Sequence, residues 1–107
     1  MNGPAQLTVS HLATEHVHRV TAGGEVDYLT APRLAAVFDA LPVTEGTTVE
    51  VDLAEVPYCD SAGLAVLVRA LHRVTRAGGR LRLVAVDPRV RRTLETTGLA
   101  ELFGGPG

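Results

Sequence analysis

Residues Val49–Ala70 read VEVDLAEVPYCDSAGLAVLVRA, and the hydrophobic period changes partway along. Over Val49–Leu53 apolar and acidic residues alternate, the period-2 pattern of a strand with one buried face. From Leu64 the apolar residues return every three or four positions, at Leu64, Leu67, Val68 and Leu71, as on an amphipathic helix. Between them lies AEVPYCD, a short connection. A strand leading directly into a helix is half of a β-α-β unit, which points to the α/β class.

The same punctuation extends in both directions. The helix runs from Ser61 to about Ala77, where Gly78-Gly79 stops it. RLRLVAV (80–86) is a further strand. Asp87-Pro88 then opens a helix over RVRRTLETT that ends at Gly98. LAELF is a last apolar turn expected to pack back on the sheet, and GGPG (104–107) is a frayed tail. Upstream, the strand is bounded as Thr47–Leu53. LTAPRLAAVFDAL before it is a helix capped at Thr30 or Ala31, with Pro32 in its first turn and a stripe of Leu34, Val37, Phe38 and Leu41. Leu7–Ser10 and His16–Ala22 are two short strands whose link is too short for a parallel crossover, so they pair antiparallel. The order β-β-α-β-α-β-α predicts a small mixed sheet of about four strands, the first antiparallel and the rest parallel. Helices would lie mainly on one face, leaving the second partly open.

A chain of 107 residues is one domain, 1–107, with its core between about Leu7 and Phe103. Aromatic residues make up only 4%, so Val, Leu and Ala must build that core. Net charge is −2, and all ten basic residues are Arg. Arg69, Arg73, Arg76, Arg80 and Arg82 lack interleaved aromatics that could stack on bases, which argues against nucleic acid and for a solvated helix face. The single cysteine, Cys59, excludes an internal disulfide. MNGPAQLTVS has neither the basic start nor the apolar run of a leader, and no stretch is long enough to cross a bilayer, so a cytoplasmic protein is expected.

Candidate chemistry centres on Ser61. A nucleophile elbow needs Gly-x-Ser-x-Gly, but the residues here are Cys59-Asp60-Ser61-Ala62-Gly63. His72 sits three turns down the same helix, and His11, His16 and His18 belong to the first strands, so no base is at hand and an enzyme is not expected. Gly23-Gly24 and Gly78-Gly79 lack the Gly-Lys-Ser/Thr of a phosphate loop, so any ATP must come from a partner. His16 and His18, two apart on a strand, share a face and could be half of a metal site with His11, but polar residues on an open sheet face explain them as well. Cys59 beside Asp60 reads as a small buried hydrophobe, since a neighbouring carboxylate disfavours the thiolate. Ser61 itself fits a helix cap. Gly63, in the first turn, costs about 1 kcal/mol relative to Ala, which suggests that small residues there keep the serine accessible to a large partner.

Three segments carry a family resemblance: GEVDYLTAPRL, then VEVDLAEVPYCDSAGLAVLVRA, then GGRLRLVAVDPRVRRTLETTGLAELF. In this order, over about Leu7 to Phe103, the chain closely resembles the STAS domain of bacterial anti-sigma-factor antagonists. The most specific piece is Asp-Ser-x-Gly-Leu after an apolar strand. The resemblance implies that Ser61 is phosphorylated by an anti-sigma factor that is itself an ATP-binding serine kinase, and that a phosphatase resets it. The unphosphorylated form would bind that kinase and free the sigma factor, with no cofactor of its own and no nucleic acid or membrane partner. Carried over by position, Asp60 is the acidic neighbour, Asp27 in Gly24-Glu25-Val26-Asp27 lies beside the serine, and Ala62, Gly63 and Leu64 begin the contacting helix. The departures are the extra glycine of Gly23-Gly24, which loosens that turn, and Cys59, one of several apolar residues that fit its place. The alternative is a STAS scaffold that is not phosphorylated, working in a transporter, lipid-trafficking or larger signalling complex.

Overall fold

A computed structural model describes residues 7–104, and residues 105–107 of the expected tail lie outside it. Strands β1 (Thr8–Ala13) and β2 (Val17–Gly23) are followed by α1 (Ala31–Asp39), β3 (Thr48–Glu55), α2 (Ser61–Arg76), β4 (Arg80–Val86) and α3 (Pro88–Thr96). A 3₁₀ turn, Ala100–Phe103, comes last. The strands lie side by side in chain order, with β1 antiparallel to β2 and the remaining pairs parallel. This is the mixed four-stranded sheet that the alternating patterns predict.

Alternation decides what each strand buries. Val49, Val51 and Leu53 of β3 are buried, while Thr48, Glu50 and Asp52 between them are half-buried. Register places Val20 of β2 and Leu83 of β4 on either side of Val51, so one apolar row crosses the sheet. α1 and α2 pack against each other. They supply Leu34, Phe38, Leu64, Leu67, Ala70 and Val74 to a core that also takes Val90 and Leu94 from α3. The opposite row is polar, and Arg19 and Glu50 pair there at 3.6 Å. The 3₁₀ turn packs back against β4 with Phe103 half-buried.

α2 ends in a Schellman arrangement. Gly79 N–H donates to Val74 C=O at 2.9 Å and Gly78 N–H to Thr75 C=O at 3.0 Å, with Gly78 at φ +88°, a conformation that glycine adopts without strain.

Several local expectations change. β1 runs to Ala13 rather than stopping at Ser10, because antiparallel pairing continues through His11↔Val20 and Ala13↔His18. β2 starts at Val17, so His16 sits in the preceding turn and does not share a strand face with His18. The partner of His18 is His11, whose Nε2 lies 2.9 Å from His18 Nδ1. Arg73 is not on a solvated face. It is half-buried and donates to the carbonyls of Phe38 and Leu41, both at 2.9 Å, where α1 ends and its last carbonyls need partners.

Candidate functional site

At the ends of β2 and β3 the sheet pairs once more. β2 carries an irregularity between Thr21 and Gly23, after which Gly24 N–H reaches Glu55 C=O at 3.0 Å. Val26 then bridges Cys59 in parallel, giving its N–H to Tyr58 C=O and accepting from Asp60 N–H, both at 3.0 Å. The loop before α1 and the loop before α2 are therefore joined, and Asp27 and Asp60 emerge beside each other.

Each aspartate organises backbone. Asp27 Oδ1 accepts Leu29 N–H at 2.9 Å and Thr30 N–H at 3.0 Å, and its carbonyl accepts Ala31 N–H at 2.7 Å. Thr30 holds the cap position of α1, yet its side chain makes no cap bond there. Its hydroxyl instead accepts Asp27 N–H and donates to Glu25 C=O, both at 2.9 Å, which closes the turn from behind.

Asp60 is the cap of α2: its Oδ1 accepts Gly63 N–H at 3.0 Å. Its Oδ2 accepts Tyr28 N–H at 3.1 Å, tying the two loops by a side chain as well. The sequence assigned the cap to Ser61. In the structure Ser61 is the first residue inside the helix and stands exposed. Asp60 has the extended backbone of a cap residue (φ −88°, ψ −172°), and its second oxygen finds a tertiary partner that serine's single oxygen could not also serve.

Behind Ser61 the packing is tight. Gly63 is buried, and a Cβ there would stand 2.5 Å from Cys59 Sγ and 2.7 Å from Val26 Cγ1. Its smallness therefore serves an internal contact rather than access from outside. Leu64 is buried too, while Ala62 is half-buried. Of the residues expected to meet a partner, Asp27, Asp60, Ser61 and Ala62 reach the surface, and Gly63 and Leu64 support them from within. Cys59 is buried below, and its thiol is pushed up to about 12, first by burial and then by the Asp60 carboxylate. A reactive thiolate is ruled out near neutral pH.

The sequence did not single out the apolar rim. Tyr28, Leu29 and Tyr58 are exposed by 71%, 70% and 51%. They are the chain's only tyrosines and one leucine, all within three residues of Asp27 or Asp60. Scarce aromatics placed beside a polar motif were the available signal. From Tyr28 a groove of about 480 Å³ runs between α1 and α2, lined by Ala31, Ala35, Ala62 and Ala65 among others. His72 lies about 16 Å along α2 from Ser61 at the helical rise, and the other three histidines belong to the β1–β2 hairpin, so no base stands beside the hydroxyl. Among the described residues no three His, Cys, Asp or Glu side chains are grouped to hold a metal ion, and no helix is long and apolar enough to cross a membrane.

Known proteins share the sequence pattern and the fold of this chain. The sequence model of the STAS domain matches residues 11–106. The anti-sigma-B factor antagonist of Listeria monocytogenes is 35% identical over 97 residues, which span 91% of this chain and 84% of that protein. The crystal structure of an anti-sigma factor antagonist from Mycobacterium paratuberculosis superposes with a TM-score of 0.83 at 28% identity, covering all of this chain and 92% of the other. The Bacillus cell fate determinant SpoIIAA, in its phosphorylated form, shares the fold, with a TM-score of 0.66 at 18% identity over 89% of this chain and 86% of that one.

Proposed function

The chain belongs to the STAS domain family, and on that footing we propose that it is an anti-sigma-factor antagonist whose binding is switched by phosphorylation of Ser61. The observation that carries this reading is the division of labour at the start of α2. Asp60 supplies the cap, so the exposed Ser61 hydroxyl can be modified without undoing the helix. The unmodified face, with Tyr28, Leu29 and Tyr58 around the serine, docks an anti-sigma-factor serine kinase and so releases the sigma factor. The kinase brings the ATP, a phosphatase resets the serine, and the chain itself is neither an enzyme nor dependent on a cofactor. The described residues then act as one module.

A phosphate adds about −1.5 to −2 charges beside Asp60. The first amides of α2 and the helix dipole receive it favourably, so the fold tolerates it. A partner packed flat on that face meets both the bulk and the charge. One like-charge contact at about 5 Å with an effective dielectric near 20 costs about 3 kcal/mol, or roughly a hundredfold in affinity.

The test uses tagged Ser61→Ala and Ser61→Asp proteins to capture partners from the native host's lysate, identified by mass spectrometry. The Ala form should retain an ATP-binding kinase that the Asp form loses, and that kinase with ATP should phosphorylate the wild type at Ser61. Equal retention by both forms would make the domain a passive scaffold.

A further inference from the structure

The β1–β2 hairpin holds a pair of imidazoles that the Ser61 surface does not use. His18 is only 8% exposed, on the same face of β2 as the core residue Val20. His11 comes from the edge strand β1, where it pairs with Val20, two register positions from His18. Their rings stack with centroids 5.1 Å apart, and His11 Nε2 lies 2.9 Å from His18 Nδ1. At that separation one nitrogen carries a proton and the other accepts it. Almost every other side chain of β1 is exposed, so this bond is a main side-chain tie between the end of the strand and the sheet.

We infer that the His11–His18 pair is a pH-sensitive latch, holding the end of β1 on the sheet while the rings share a bridging proton and releasing it when both are charged. The chemistry follows from counting protons. A first added proton can sit on a ring nitrogen outside the bridge and leave the bridge intact. A second puts N–H groups on both facing nitrogens, removes the acceptor and sets two cations against each other. Nothing nearby offsets that repulsion. Among the described residues no carboxylate lies within ion-pairing distance of either ring: Glu15 faces His16, and Glu50 pairs with Arg19 on the opposite face of the sheet. Val49 of β3, the register neighbour of His18, is apolar. His18 is accordingly held below the ordinary imidazole value, by burial first and His11 second. The released strand takes up the proton more readily than the latched one, so the latched form loses ground as pH falls below about 6.5 and keeps its full stability above it.

Backbone amide exchange on the whole protein tests this, with protection corrected for intrinsic rates at about pH 7.5 and about pH 5. In the wild type, protection over residues 11–14 and 18–20 should fall severalfold on acidification while β3 and β4 hold. His18→Leu should abolish the fall. His11→Gln, at an exposed position where folding is not at risk, should reduce it. Constant protection in the wild type would overturn the latch. So would an undiminished fall in His18→Leu, or an equal loss in all four strands, which would mean global rather than local opening. None of these results depends on Ser61 or its partner.

Discussion

Asp60 and Tyr28, 32 residues apart in the chain, are joined by a hydrogen bond from the Tyr28 amide to Asp60 Oδ2 at 3.1 Å, while Oδ1 caps α2 through Gly63. One carboxylate thus fixes both the helix and the loop beside it. Asp60→Ala should destabilise the protein by about 2 kcal/mol, the sum of a lost cap and a lost tertiary bond. Ser61→Ala should change stability by less than about 0.5 kcal/mol. Urea unfolding of the two variants decides the matter, and the reverse order would return the cap to the serine.

Gly63→Ala brings a methyl group into the space of Cys59 Sγ and Val26 Cγ1. Overpacking of this kind costs about 1–3 kcal/mol, against a gain of about 1 kcal/mol in helix propensity. A net loss of stability is expected, partly recovered in Gly63→Ala/Cys59→Ala. Additivity of the two single changes in a double-mutant cycle would show that the contact is not what excludes alanine.

Cys59 provides a stability signature at high pH. Its thiol ordinarily ionises at 9.0 and is held near 12 in the fold. The unfolded chain therefore loses this proton at a pH where the folded chain keeps it. The stabilisation is complete below about pH 9 and is lost as pH rises through the folded value. Melting temperatures between about pH 8 and pH 10.5 should drop more steeply for the wild type than for Cys59→Ala. The native thiol should also resist alkylation near neutral pH until the protein is unfolded.

Arg73 spans from α2 to the carbonyls of Phe38 and Leu41. Removing it leaves the end of α1 without two charge-assisted bonds, so Arg73→Met should cost about 2 kcal/mol. Arg69→Met and Arg76→Met, at exposed positions on the same helix, should each stay within about 0.5 kcal/mol. Similar values for all three would mean that the capping role adds nothing.

What could be foreseen and what could not follows from the range of the interactions involved. Strand alternation at Val49–Leu53 and the helical stripe of α2 are local patterns backed by a common core, so strand directions and helix positions were legible. The start of α2 at Ser61 was legible because Asp-Ser-x-Gly-Leu is a local string that follows a strand and opens a helical stripe. The choice between Asp60 and Ser61 as cap was not, since two good capping residues stand adjacent and the decision lies with Tyr28 in another loop. Arg73 looked like its exposed neighbours because its acceptors are 35 and 32 residues away. The imidazole pairing needed the true extent of β1 and the Ala13↔His18 register, whereas spacing alone grouped His18 with His16.

The single bridge between Val26 and Cys59 has a thermodynamic consequence. By carrying the sheet's pairing into both loops, it makes Asp27, Tyr28, Asp60 and Ser61 parts of one stiff plate rather than two independent hinges. A partner that recognises such a plate spends little free energy on ordering it, so more of the contact energy appears as affinity. The backbone on either side of the serine should accordingly shift by less than about 1 Å on complex formation. Recognition would then depend on the chemical state of one hydroxyl and hardly at all on a change of shape.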